Sequence, residues 1–318
     1  MSLQPFIKYP DIENFDQSKY VQRFLDKFPE LANAKFIIQE KINGANVAFI
    51  FTPKMGLQIA SRENLIANNP HFYNIKKTLE SLRFQIFTTH VQSIIDDFKV
   101  PVTLYGEYFG RDENGKNVCK GVEYGGKGTR DILFYDMRVE SGHLSSQADF
   151  YKFVKDYQLA DYQVPTLGVA KNLDEAFATD TKFDSKLNPI KDNLCEGITI
   201  KPIAQQYIID DRGFPEYFML KKKNEEFKEK QRAKRPPPVP GEIDERFYDY
   251  VTEERANHIE SHLGPITAKN QLGQYIKELV NDAEIDFWKD LPDAKPASVA
   301  LAKKKSSQIA CKIFMKRC

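Results

Sequence analysis

Lys41 stands in the stretch Glu40-Lys41-Ile42-Asn43-Gly44, between two apolar runs, Lys35–Glu40 and Ala45–Phe51, that both read as strands. A lysine at the mouth of such a strand–glycine–strand hairpin can face a pocket. Burial or nearby positive charge there lowers its pKa and frees the amine for nucleophilic attack. Alone, Lys-x-x-Gly is unspecific. Downstream, however, Glu107, Tyr135, Glu196, Lys201, Lys221 and Lys223 each lie on or beside a predicted strand. A lysine that attacks phosphorus forms a phosphoramidate, and the anionic transition state needs cations and a metal. Lys221 and Lys223 alternate with Lys222, so two ammonium groups share one face. Arg62 and Lys201 end two further strands. Glu196 and Glu107 could hold Mg²⁺ and a ribose hydroxyl. Tyr135 could stack on a base, a contact worth about 1–3 kcal/mol.

These residues need a sheet-rich scaffold, and the chain supplies one up to about Lys223. The spacing of Tyr20, Phe24 and Phe28 predicts an amphipathic helix over 16–28. A third strand covers 57–61. A long helix is expected over 71–99, with Ile75, Leu79, Leu82, Ile86, Ile94 and Phe98 on one side. Strands follow at 100–109 and 131–139, separated by a glycine-rich charged loop, 111–130. A helix over 145–159, a short strand within 161–170 and a weak helix over 172–187 precede a strand at 196–202. Residues 205–210 and 217–223 read as a hairpin closed by Asp211-Arg212-Gly213. Composition then shifts. Residues 224–235 are polar and basic, and the run Pro236–Pro240 breaks regular structure, which sets a boundary between residues 1–235 and 236–318. Beyond it, 243–263, 270–291 and 297–318 all read as helix.

With 318 residues and a net charge of +1, the chain offers no global electrostatic argument for a polyanionic partner, so any such argument must be local. The four cysteines, Cys119, Cys195, Cys311 and Cys318, form no Cys-x-x-Cys pair and read as free thiols of a reducing compartment. The first fifteen residues carry no secretion pattern, and no apolar run approaches the roughly 20 residues of a membrane span. An intracellular protein, cytoplasmic or nuclear and acting as a monomer, is expected.

Taken in order, the motifs resemble those of the covalent nucleotidyltransferases, the polynucleotide ligases and mRNA capping enzymes. The likeness is greatest to the RNA ligase 2 family, which includes the RNA-editing ligases. It rests on Glu40-Lys41-Ile42-Asn43-Gly44-Ala45-Asn46, on Gly106-Glu107-Tyr108-Phe109-Gly110, on Phe134-Tyr135-Asp136, on Glu196 through Lys201, and on Lys221-Lys222-Lys223-Asn224 followed by Phe227-Lys228-Glu229-Lys230. The sequence departs from many relatives at Asn43 (often His), Ala45 (often Thr) and Ser61 (Lys in a Lys-Arg pair). The resemblance implies an α+β fold, an antiparallel-sheet nucleotidyltransferase (ATP-grasp-like ligase) domain followed by a small all-α C-terminal domain. It implies ATP, with AMP carried on Lys41, and Mg²⁺ or Mn²⁺. Glu40 would read the adenine edge, Tyr135 stack on it and Glu107 bind the ribose. Asn46 and Glu196 would organise a metal-bound water shell. Arg62, Lys221 and Lys223 would hold phosphates, and Lys201 would neutralise the AMP phosphate. The partner would be RNA with 3′-hydroxyl and 5′-phosphate ends, as in a nicked duplex.

Rival readings carry their own marks. A DNA ligase or capping enzyme would have Asp at position 43 and a β-barrel after the last lysine strand, where this chain reads as helix. An inactive RNA-binding relative would lack catalytic side chains, which are all present. On bland grounds Lys221–Lys223 could be an exposed basic edge strand. His258 and His262 stand four apart on a helix but lack a third ligand nearby. The run Lys228–Arg235 and the tail lysines Lys303, Lys304, Lys305, Lys312 and Lys316 with Arg317 could follow a phosphate backbone.

Overall fold

Two β-sheets carry the candidate residues. The computed structural model describes them within residues 6–54, 56–66, 72–140, 142–211, 213–228 and 242–317. The chain divides into two compact units, Met1–Asn224 and Glu225–Cys318. The Pro236–Pro240 break, most of the basic run before it, and Glu229 and Lys230 lie outside the described residues.

In the first unit, one sheet has the order β1 (Glu13–Asn14), β11 (Leu220–Lys223), β8 (Gly197–Pro202), β2 (Phe36–Glu40) and β7 (Thr166–Ala170). Its pairs are antiparallel except β1 with β11, where Glu13 stands opposite Leu220. β11 therefore has a neighbour on both sides and is not the exposed edge that three lysines in a row suggest. The other sheet has the order β4 (Gly56–Ser61), β3 (Ala45–Thr52), β5 (Val102–Phe109) and β6 (Asp131–Val139), all antiparallel. β9 (Tyr207–Ile209) and β10 (Pro215–Tyr217) form a separate ribbon.

Aromatic side chains set the packing. Phe49, Phe51 and Phe134 of the second sheet meet Phe84, Phe87 and Val91 of α3 (Leu82–Phe98). The first sheet packs Phe36, Ile38, Ile198 and Ile200 against Tyr20 and Phe24 of α1 (Ser18–Lys27) and Leu173 of α5 (Leu173–Ala178). A third cluster packs Tyr9, Met219 and Tyr217 of β10 against Ala48, Ile50 and Tyr105 of the second sheet.

Four sequence expectations change. β2 and β3 are not a hairpin. β2 pairs with β7 and β8, while β3 pairs with β4 and β5, so Lys41–Gly44 crosses from one sheet to the other. The single helix over 71–99 is two, α2 (Ile75–Leu79) and α3, because Ser81 turns extended (ψ 145°) between them. Its buried stripe is Phe84, Phe87, Val91, Ile94 and Ile95, whereas Leu82, Ile86 and Phe98 are exposed. Two stripes competed, and the one with larger aromatic area is buried. His71 and Arg212 lie outside the described residues. The expected hairpin over 205–223 pairs β9 with β10 only, and Leu220–Lys223 joins the first sheet. Finally, 243–263 divides into a 3₁₀ turn, Glu245–Tyr250, and α6 (Glu253–Leu263), because Thr252 stays extended and its side chain accepts the Arg255 N–H at 3.1 Å.

The second unit packs α6 with α7 (Leu272–Asp290) and α8 (Pro296–Met315) around Phe247, Tyr275, Leu279, Phe287, Val299 and Phe314. Arg255 is 1% exposed and is held by Asp286 at 2.8 Å, by Asp282 and by the Tyr250 carbonyl. Among the tail cations, Lys303 pairs with Glu284, and Lys316 and Arg317 with Glu253. Lys304, Lys305 and Lys312 are exposed on α8.

Candidate active site

Two glycines let the backbone pass where the site forms. A Cβ on Gly44 would lie 2.3 Å from the Tyr108 carbonyl oxygen, and one on Gly197 would lie 2.1 Å from that of Lys222. Gly197 also has φ of +150°, which side-chain-bearing residues rarely adopt. Gly44 thus lets the Lys41 segment lie against β5 and Gly197 lets β8 lie against β11, while the Lys41 N–H donates to the Gly197 carbonyl at 2.9 Å.

Glu196, immediately before β8, is the charge centre. Lys41 Nζ lies 2.7 Å from one carboxylate oxygen and Lys223 Nζ 2.9 Å from the other. Burial alone would raise the Glu196 pKa; the Lys223 and Lys41 ammonium groups overcome it and hold the carboxyl below its usual range. Glu107, from β5, faces the same charges. Burial pushes its pKa up to about 7, with Glu196 adding to the rise and Lys41, the Gly44 N–H and Arg62 opposing it.

That shift makes stability depend on pH. The folded Glu107 carboxyl keeps its proton up to about 7, while the unfolded one loses it near 4.5. Between those values the folded state binds more protons, so stability falls as pH rises. Glu107→Gln removes this titration. Its melting temperature relative to the parent protein should climb from about pH 5 to about pH 8. A difference that stays flat across thermal scans at those pH values would remove the burial effect.

Beside this centre, Asn46 of β3 donates its amide N–H to the Tyr135 hydroxyl. Tyr135 owes its aim to a β-bulge. In β5–β6 pairing Tyr105 faces Asp136 and Gly106 faces Phe134, which leaves Tyr135 as the extra residue. Strict alternation would send Tyr135 and Asp136 to opposite faces, yet both meet Lys201. The Lys201 ammonium lies 4.8 Å from the Tyr135 ring centroid and 2.6 Å from Asp136. Lys201 and Asp136 are 1% and 0% exposed, so the Lys201 charge is already matched inside the protein. Burial lowers the Lys201 pKa and raises that of Asp136, each opposed by the other's charge. Tyr9 and Gln147 also donate to Asp136.

The remaining candidates are placed as follows. Arg62, just past β4, pairs with Asp11 and Glu63, and its charge reaches Glu107 and Tyr135. Glu40 ends β2 buried, and its carboxylate accepts from the Ser185 hydroxyl at 2.6 Å and the Lys186 N–H at 2.8 Å. Lys221 is half-buried on β11, on the same face as Lys223. Lys222 points the other way and donates to the Phe177 and Thr179 carbonyls. Asp136, Ser185, Lys186 and Tyr124 were not singled out for the site from the sequence. The only signal was the place of Asp136 next to Tyr135; the loop residues show no periodicity.

Among the described residues no three His, Cys, Asp or Glu side chains gather as a metal cage. The oxygens of Glu196 and Asn46 instead suit a hard divalent ion held through water. Cys119, Cys195 and Cys311 are free thiols, and no helix among the described residues is long and apolar enough to cross a membrane.

The RNA ligase family model matches residues 34–223, and the T4 RNA ligase 2 C-terminal family model matches residues 241–313. Among solved structures, a Naegleria gruberi RNA ligase variant with ATP and manganese is 18% identical, with a TM-score of 0.45 over 71% of this chain and 58% of that one. Another variant of it with AMP and manganese is 18% identical, with a TM-score of 0.44 over the same shares. An apo variant is 16% identical, with a TM-score of 0.41 over 69% of this chain and 57% of that one. The chain thus spans less than two thirds of the solved chains it matches. No curated protein matches it.

Proposed function

The chain belongs to the RNA ligase family, and from that premise we propose that it is an ATP-dependent RNA ligase that joins 3′-hydroxyl and 5′-phosphate ends, as at a nick in a duplex. The observation that carries the reading is one buried acid shared by two lysines, Lys41–Glu196–Lys223, at the crossing between the sheets. In the first step the Lys41 amine, having given up a proton, attacks the α-phosphorus of ATP. A P–N bond forms and pyrophosphate leaves. In the second, an RNA 5′-phosphate oxygen displaces Lys41 and takes the AMP. In the third, a 3′-hydroxyl attacks that 5′-phosphate, and AMP leaves as the phosphodiester closes.

Residues 1–235 supply this chemistry, and residues 236–318 help grip the RNA. Lys223, Lys221 and Arg62 hold phosphate oxygens. Tyr135 presents a ring for the base, Glu107 accepts from the ribose, and Glu40 keeps acceptor lone pairs for the adenine amino group. Lys201, its charge matched by Asp136, backs the Tyr135 ring. Glu196 and Asn46 would hold a divalent ion through water, and that ion would supply neutralisation of phosphate charge. The second unit is helical among its described residues, where a DNA ligase or capping enzyme would carry a β-barrel.

The test has two parts. Protein incubated with ATP or GTP labelled at the α-phosphate should take label from ATP alone. It should then seal a nicked duplex RNA better than single-stranded ends, with each strand tried as RNA and as DNA. Labelling by GTP would indicate capping. No label from either nucleotide would indicate an RNA-binding relative without catalysis.

A further inference from the structure

We propose that Tyr124, acting with Asn43, is a positioning residue that clamps the backbone carrying Lys41 and so sets the rate of AMP capture; this rests on the ligase reading above. The link Lys41–Gly44 has left one sheet and not yet joined the next, so its polar backbone groups must find partners outside a strand ladder. Lys41 N–H takes the Gly197 carbonyl, and Gly44 N–H takes the Glu107 carboxylate. The other tethers all come from residues 119–124. Asn43 N–H donates to the Tyr124 hydroxyl at 2.7 Å, the Asn43 side-chain amide donates to the Lys120 carbonyl at 2.6 Å, and the Cys119 thiol donates to the Gly44 carbonyl at 3.2 Å.

This clamp is itself fixed. Glu123 N–H donates to Asn193 Oδ1 at 2.8 Å, and the amides of Asn193 and Asn188 donate back to the Glu123 carbonyl at 2.8 and 3.1 Å. The Tyr124 ring packs edge-on to Phe109 with centroids 4.8 Å apart, and Val122 is buried. The adjoining residues Ser185 and Lys186 hold the Glu40 carboxylate. The chain on both sides of Lys41, at Glu40 before it and at Asn43 two residues after it, is thus tied to two interlocked loops.

The choice of Tyr over Phe at 124 is explained by its oxygen. The ring is buried on Phe109, and the hydroxyl is the acceptor for a backbone N–H that has left the sheet. Tyr124→Phe keeps the ring packing and removes only that acceptor. A nucleophile on a loosened link is mispositioned, and displacements near 1 Å cost on the order of 100-fold in rate. The third chemical step uses RNA-bound AMP and does not need the Lys41 amine, so it should be spared.

The experiment measures single-turnover Lys41–AMP formation over a range of ATP concentrations, and sealing of a pre-adenylylated nick, for the full chain and for Tyr124→Phe. The expected result is adduct formation slowed about 10- to 100-fold at saturating ATP, with half-saturation and pre-adenylylated sealing each changed less than about twofold. An unchanged adduct rate overturns the clamp. Equal losses in adduct formation and in pre-adenylylated sealing overturn it too, since they indicate a purely structural role. If Tyr124→Phe does not fold, Asn43→Ala removes the tether to Lys120 and must show the same split, or the proposal falls. No label on the parent protein would instead overturn the ligase reading beneath it.

Discussion

Lys41→Ala should abolish transfer of AMP from ATP to the protein while leaving the fold intact. Glu196 is held from two sides, so losing the Lys41 ammonium still leaves it the Lys223 ammonium at 2.9 Å. The buried acid is not stranded, and the usual heavy penalty for an unpaired buried charge does not apply. Among the described residues no other amine stands in the same place: Lys223 occupies the far carboxylate oxygen, and Lys201 is spent on Asp136. The variant should still seal RNA that already bears AMP on its 5′-phosphate. Labelling with ATP, followed by acid and base treatment of the adduct, checks the result. An acid-labile, base-stable label on Lys41→Ala protein would show that the nucleophile lies elsewhere.

Asp136→Ala should be the most destabilising single change near the site. It strands the Lys201 ammonium, 1% exposed, and removes the acceptor for Tyr9 and Gln147. Breaking a buried pair by deleting one partner costs about 3–5 kcal/mol, a large share of the roughly 5–15 kcal/mol that holds a domain folded. Urea unfolding measures it. The double change Asp136→Leu with Lys201→Met should recover much of the loss, because an apolar pair of similar size needs no charge compensation. A single variant within about 1 kcal/mol of the parent would mean that water reaches the pair.

The parts of this site that were readable in the sequence are those fixed by local spacing. Lys41 and Gly44, Glu196 and Gly197, and the alternation of Lys221 with Lys223 sit within a few residues of one another. What escaped depends on partners distant in sequence. Phe36–Glu40 reads equally well as one arm of a hairpin or as an inner strand, and its pairing with 197–202 decides the matter. The bulge that turns Tyr135 inward leaves no mark in an alternating strand. Ser185, Asn188, Asn193 and Tyr124 lie in loops whose roles come only from what they touch. Leu82 and Ile86 were misassigned because aliphatic and aromatic residues on one helix offered two faces, and area chose between them.

The parallel contact of β1 with β11 also sets a timetable. Glu13 stands opposite Leu220, and the Glu13 and Phe15 N–H groups donate to the Met219 and Lys221 carbonyls, so residues made early in this unit pair with its last strand. During synthesis β2 leaves the ribosome long before β8 exists to pair with it. Closing such long loops is slow, because chain entropy must be lost before any contact rewards it. The second sheet takes all its strands from residues 45–139, so it can assemble first. Lys41 therefore waits between a sheet that can already be paired and one that cannot. Only when residues 196–223 emerge does Lys41 meet Glu196 and Lys223, so on the proposed ligase reading the nucleotide site is assembled last in its unit.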